Sequence, residues 1–242
     1  MVMSHKHPVR TIAIDGPAGA GKSTLGLGLA RHLGFLYFDT GVTYRAVALA
    51  VLRRGIAPED EAAVSALAEG LHIEVLPPRP DDDLPYLVHL DGQDVTHALR
   101  SPEVDAVVSI VAAFPRVRRA MVAQQRRIAS GRQAVVVGRD IGTVVMPDAD
   151  LKIYLDASLE ARAARRHLEL TQRNVASRYS DVLEGLRQRD RLDSSRADSP
   201  LRPAHDAVIL DSTELSAEET LAQALALVEA RNAALAPHQS AP

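Results

Sequence analysis

The 242-residue chain contains no cysteine and no tryptophan, and aromatic residues make up only 3% of it. Without cysteine it can form neither disulfides nor thiolate-bound metal centres. That composition suits a reducing compartment, so a cytoplasmic location is expected. With so few aromatics, alanine, valine and leucine must fill the core, and stacking platforms for single-stranded nucleic acid are scarce. A net charge of −3 gives no electrostatic reason to expect a nucleic acid or a membrane surface as partner. No apolar run approaches the roughly 20 residues that span a bilayer. The polar segment from Met1 to Arg10 lacks the apolar stretch of a signal peptide, and is expected to be a flexible tail. Lysine is nearly absent too. It occurs only at positions 6, 22 and 152 among 28 basic residues, so nearly every cluster of positive charge is built from arginine. The nine histidines show no metal-ligand spacing, and no Ser–His–Asp arrangement can be inferred.

What is present is concentrated near the start. Thr11 to Asp15 reads as a short apolar strand. Gly16-Pro17-Ala18-Gly19-Ala20-Gly21-Lys22-Ser23 then matches G-x-x-x-x-G-K-[ST], and an amphipathic helix follows from about Ser23 through Thr24 to Leu33. Glycines at this spacing let the backbone curl until successive N–H groups point at one phosphate. Lys22 can reach the β- and γ-phosphates, and the Ser23 hydroxyl can complete the shell of a Mg²⁺ ion. The positive end of the helix adds to the same anion site. A glycine-rich loop alone more often serves a turn. Here the strand before it and the helix after it supply the context that a nucleotide-binding P-loop requires. Mg²⁺ arriving with ATP is the only metal implied.

Further along, strand-like and helix-like segments alternate. Gly34 to Asp39, Ala134 to Val137, Leu151 to Leu155 and Ala207 to Leu210 read as strands. Helices are expected over 43–54, 58–70, 101–113, 116–130, from 158 onward, over 178–191 and over 217–233, the last opened by a capping box of Ser216 and Glu219. Between residues 71 and 100 the pattern changes. His72 to Leu76 and Tyr86 to Leu90 alternate like antiparallel strands, and Asp91-Gly92 is a hairpin turn before a third short strand. The whole predicts an α/β chain: a three-layer fold with a parallel sheet and a small antiparallel β insertion. Ligands of such folds sit beyond the carboxyl ends of the strands. Asp15-Gly16, Asp39-Thr40, Gly138-Arg139-Asp140 and Asp211-Ser212 fall there and are expected to face one cleft.

Phosphoryl transfer between two anions needs cations and positioning more than it needs a base, and arginine forks hold phosphate oxygens bidentately. Arg45 and Arg139 stand close after strand ends. Arg162, Arg165 and Arg166, then Arg189, Arg191 and Arg196, form a third group. The residues leave bland alternatives open. Arg162, Arg165 and Arg166 could line a solvated helix face, Arg139 and Asp140 could form an ordinary ion pair, and Asp193 and Arg196 could simply pair at helical spacing.

Five blocks in order resemble the bacterial cytidylate kinase family, which has the nucleoside monophosphate kinase fold. They are Ile14 to Ser23; Asp39-Thr40-Gly41 with Tyr44-Arg45; Val111 to Arg118; Gly138 to Val145 with Pro147-Asp148-Ala149; and Arg189-Asp190-Arg191 through Asp193 to Arg196. The resemblance implies a P-loop NTPase core that phosphorylates CMP and dCMP with ATP and Mg²⁺ by direct in-line transfer. It implies core segments over 11–70, 104–159 and 179–235, an acceptor-binding insertion at 71–103, a short lid at 160–178 and flexible tails at 1–10 and 236–242. Carried over by position, Thr40, Arg45 and Arg139 would hold the CMP phosphate, with Tyr44 beside them. Ser109, Arg118 and Asp140 would read the cytosine edge, and Arg189, Asp193 and Arg196 would hold the sugar and gather charge. Lys22, Arg45, Arg139, Arg165 and Arg189 would be the catalytic set. The family expectation is a monomer with small-molecule substrates and neither nucleic acid nor membrane as partner. Two rivals remain at this point: a kinase for UMP, AMP or shikimate, and a P-loop switch module, although no guanine-reading N-K-x-D stretch is present.

Overall fold

The computed structural model describes residues 9–79, 84–172, 174–196 and 199–236. In chain order it opens with β1 (Thr11–Asp15) and α1 (Lys22–Leu33). These are followed by β2 (Leu36–Asp39), α2 (Gly41–Arg53), α3 (Glu61–Gly70), β3 (Ile73–Leu76), β4 (Leu87–Leu90), β5 (Gln93–Asp94), α4 (Pro102–Val111) and α5 (Pro115–Ala129). The chain closes with β6 (Ala134–Val137), β7 (Leu151–Asp156), α6 (Leu159–Gln172), α7 (Tyr179–Ser195), β8 (Val208–Asp211) and α8 (Ala217–Leu235). It divides into two compact units, one made of residues up to 35 and from 132 onward, the other of residues 36–131. The tails expected at 1–10 and 236–242 fall almost wholly outside the described residues.

In the first unit the strand order is β6-β1-β7-β8, all parallel. Thr11 pairs with Ala134, Ile12 with Leu151 and Ile153 with Val208. Every residue of β6 is buried, as are Ile12, Ala13 and Ile14 of β1. These strands are apolar throughout because both faces are covered. Helix α1 packs on β6 and α8, and a Cβ added at Gly28 would sit 3.1 Å from Leu221. Asp150 ties the beginning of β1 down, its carboxylate accepting from the Thr11 N–H at 2.8 Å and from the Thr11 hydroxyl at 2.9 Å. The capping box at Ser216 and Glu219 forms as expected.

The second unit holds the expected insertion. β3 and β4 pair antiparallel (Val75 with Val88), and β5 adds an edge across the Asp91-Gly92 turn, where both residues have positive φ, 50° and 80°. Helices α2 to α5 pack among themselves, and α5 also lies against β3. Two local details differ from expectation. Helix α2 starts at Gly41 rather than near residue 43, because the Asp39 carboxylate accepts the Gly41 N–H at 2.9 Å and the Thr40 carbonyl accepts from Thr43. Glu61 begins α3, since Asp60 acts as its N-cap and takes the Ala63 N–H at 3.0 Å.

Candidate active site

In the first unit the loop after β1 has the conformation its glycines suggest. Gly16 has φ of 147°, and a Cβ there would collide with the carbonyl oxygen of Leu155, so no other residue fits. Gly19 and Gly21 also take positive φ, and the loop leads directly into the N-terminus of α1. The buried Lys22 donates from Nζ to the carbonyl of Pro17 at 2.7 Å, curling back over the loop, while Ser23 and Thr24 are exposed at the helix start. This backbone cradle, which side chains would fill, fits a nucleotide polyphosphate, and the exposed Ser23 hydroxyl at its edge fits Mg²⁺. Among the described residues no group of three or more histidine, aspartate or glutamate side chains could hold a metal ion.

Three of the strand ends expected to face a ligand converge here. The Ser212 hydroxyl donates to the carbonyl of Asp156 at 3.0 Å, with the Ala20 carbonyl of the loop 3.3 Å away. Arg139, beyond β6, donates from Nη1 to the Gly16 carbonyl at 2.9 Å and from Nε to Asp193 at 2.8 Å. Asp193 is 2% exposed and also receives Arg196 at 2.6 Å. The helical pairing of Asp193 with Arg196 therefore exists, and Arg139 joins it from the carboxyl end of β6. Arg189 is solvent-exposed, yet crowding by protein atoms, together with the charges of Arg139 and Arg196, draws its pKa below the usual arginine value; Asp193 opposes this. One buried carboxylate thus organises Arg139 and Arg196, with Arg189 within electrostatic range. The group has a surplus of positive charge and suits a multiply charged anion. Asp140, adjacent to Arg139, is 6% exposed.

The arginines of α6 have unequal fates. Arg162 is buried rather than lining a solvated face. Its guanidinium donates to the carbonyls of Ala157 and Ala18, at 2.9 and 3.0 Å, and pairs with Asp190 of α7 at 2.7 Å. It is therefore a brace joining the P-loop to α6 and α7. A small apolar cluster of Ala18, Ala163 and Leu186 seals the same contact. Arg165 reaches the loop after β8, donating to the carbonyls of Ser212, Thr213 and Leu215 and to the Ser212 hydroxyl. Only Arg166 behaves as a surface residue, paired with Glu169 three positions on.

The second unit carries the other candidates. Thr40 is buried at the start of α2. Arg45 donates from Nη1 to Asp105 at 2.6 Å and to the Leu99 carbonyl at 2.9 Å. The Arg118 guanidinium lies over the Tyr44 ring, 5.6 Å from its centre, a cation–π contact that orients both. Ser109 is exposed on α4.

The sequence assigns no role to Asp190 or Asp105, and places Asp15 at a strand end facing the cleft without indicating its partner. No spacing rule links Asp105 to Arg45 or Asp190 to Arg162. Asp15 stood in plain view ahead of the P-loop, but nothing local reveals what its carboxylate meets.

The model of the cytidylate kinase family matches residues 12–230. The chain belongs to the cytidylate kinase family. It is 54% identical over 216 residues to the cytidylate kinase of Chloroflexus aggregans, covering 89% of this chain and 92% of that one. It is 47% identical to that of Caldanaerobacter subterraneus subsp. tengcongensis, covering 87% and 90%, and 43% identical to that of Pasteurella multocida, covering 90% and 94%. Membership makes the chain a kinase, a transferase on a P-loop fold. It also removes the switch-module reading, which requires no acceptor. The matched stretch, residues 12–230, contains the P-loop, the arginine group around Asp193 and the α6–α7 pair.

Proposed function

We propose that the chain transfers the γ-phosphoryl group of ATP to CMP and dCMP, giving ADP with CDP or dCDP. The observation that carries this reading is the Arg139 side chain on the Gly16 carbonyl, which ties an acceptor-binding strand end to the donor loop. Family membership supports the choice of acceptor.

The P-loop amides of residues 16–24 bind the donor phosphates, with Lys22 moving from the Pro17 carbonyl to the β- and γ-oxygens. Ser23 would hold Mg²⁺, which supplies charge neutralisation across those oxygens when bound. Thr40, Arg45 and Arg139 hold the acceptor phosphate; Tyr44 supports Arg118; Ser109, Arg118 and Asp140 read the base. Asp140 accepts from the cytosine amino group. Uracil presents a carbonyl at that position, leaving a buried carboxylate facing an acceptor, which penalises UMP. Arg189, Asp193 and Arg196 hold the sugar and gather charge. The transfer is in-line, with no covalent enzyme intermediate, and electrostatic stabilisation carries it. Arg165 can join the transferring group only by leaving the Ser212, Thr213 and Leu215 carbonyls, so Arg189 carries more of that role. Lid residues 160–178 close over the site to exclude water, because ATP would otherwise hydrolyse.

The test is a coupled ADP-release assay with ATP and Mg²⁺ against CMP, dCMP, UMP, AMP and shikimate, with a no-acceptor control. Fast turnover with CMP and dCMP alone is expected. Strong UMP activity would remove the role given to Asp140, and turnover without acceptor would remove the kinase reading.

A further inference from the structure

The buried carboxylate of Asp15, at the carboxyl end of β1, belongs to none of the substrate contacts above. Its Oδ1 accepts the Ile141 N–H and its Oδ2 the Gly142 N–H, each at 2.7 Å. Those amides open an unusual turn. Val144 and Val145 both donate to the Asp140 carbonyl, and Met146 donates to the Ile141 carbonyl, so the chain winds with five-residue spacing over Ile141–Val145. Such π-type turns are rare and expose backbone groups that an α-turn would satisfy. The approach is close enough to exclude a side chain at 142. A Cβ on Gly142 would lie 3.3 Å from Asp15 Oδ2 and 3.1 Å from the Lys152 side chain.

Arg139 answers from the other direction, its guanidinium on the Gly16 carbonyl. Two reciprocal links therefore join the first residues of the donor loop to the Arg139-Asp140 turn: a side chain of one onto the backbone of the other, in both senses. We infer that Asp15 is a positioning residue, whose two backbone hydrogen bonds set where Arg139 and Asp140 stand relative to the P-loop and so where the acceptor is presented to the donor. The inference rests on the functional reading above. Burial pushes the Asp15 carboxyl up to about 6, with the Asp140 charge adding to the rise and the two amides and Lys22 opposing it. At neutral pH it is ionised, and both oxygens act as acceptors.

Asp15→Asn keeps the shape but turns an NH₂ group toward one of the two N–H donors. The KM values for CMP and for ATP separate a positioning role from a merely structural one, because KM does not depend on the fraction of chains that are folded. The KM for CMP is expected to rise about tenfold and that for ATP to stay within about twofold, the loss of one charge-assisted hydrogen bond falling on the acceptor side. Amide deuterium exchange at Ile141 and Gly142, read without substrate, is expected to accelerate by about tenfold or more. An unchanged KM for CMP, an equal rise in both KM values, or unchanged exchange at these amides would each overturn the inference while wild-type CMP turnover stands. Wild-type protein inert toward CMP would overturn the functional reading and this inference with it.

Discussion

Arg162→Ala tests whether the arginines of α6 build the site or merely decorate a surface. The side chain is 7% exposed and its partner Asp190 25%. Truncation removes the ion pair and leaves the carbonyls of Ala157 and Ala18 without this donor. Breaking a buried pair by deleting one member costs about 3–5 kcal/mol, because the remaining charge stays desolvated. Asp190 is a quarter exposed, so the lower end applies, about 3 kcal/mol. For a chain of this length that corresponds to a fall in Tm of about 6–12 °C, measured by scanning calorimetry. Since the Ala18 carbonyl belongs to the P-loop, the KM for ATP should rise as well. The double variant Arg162→Met/Asp190→Leu removes the stranded charge and should recover at least about half of the lost stability. A single variant that melts within about 2 °C of wild type, with its KM for ATP unchanged, would refute the buried-brace reading.

Three further outcomes follow from the same geometry. Lys22→Ala should lower kcat by about 100-fold or more in the ADP-release assay, since it removes the cation proposed to reach the β- and γ-phosphates; near wild-type turnover would remove the role of the loop. Asp140→Asn should lower kcat/KM for CMP by about 100-fold and narrow the preference for CMP over UMP; an unaltered preference would assign base reading elsewhere. The third concerns pH. The folded pKa of Asp15, about 6, lies above its ordinary value of 3.8, so the folded chain binds more protons in that window. The stability this group contributes is full below about pH 4 and is lost as pH rises through about 6, a change of about 3 kcal/mol. Compared with Asp15→Asn, whose other carboxylates titrate alike, the wild-type Tm should gain about 3–5 °C between pH 7 and pH 5. Parallel Tm curves for the two proteins would refute the raised pKa.

Local patterns fixed much of this protein before any contact was known. The P-loop was legible because its chemistry is local: glycines that must take positive φ, a lysine and a hydroxyl, all within eight residues between a strand and a helix. The Asp91-Gly92 hairpin and the Ser216–Glu219 capping box were legible for the same reason, since a turn or a cap depends on residues a few positions apart. Side-chain fates across the chain were not. Arg162 and Arg166 are four apart on one helix and similar in sequence context, yet one braces the donor loop and the other pairs at the surface. Burial by α7 and the loop decides between them, and no helical periodicity records it. Asp15 meets amides 126 and 127 positions away. Arg139 finds Gly16 because the parallel β1 and β6 end side by side, and it meets Asp193 of α7, 54 positions along the chain. Sequence determines which chemistry is available at each strand end; tertiary packing decides which of those groups meet, because burial and hydrogen-bond geometry are properties of the assembled sheet rather than of any one segment.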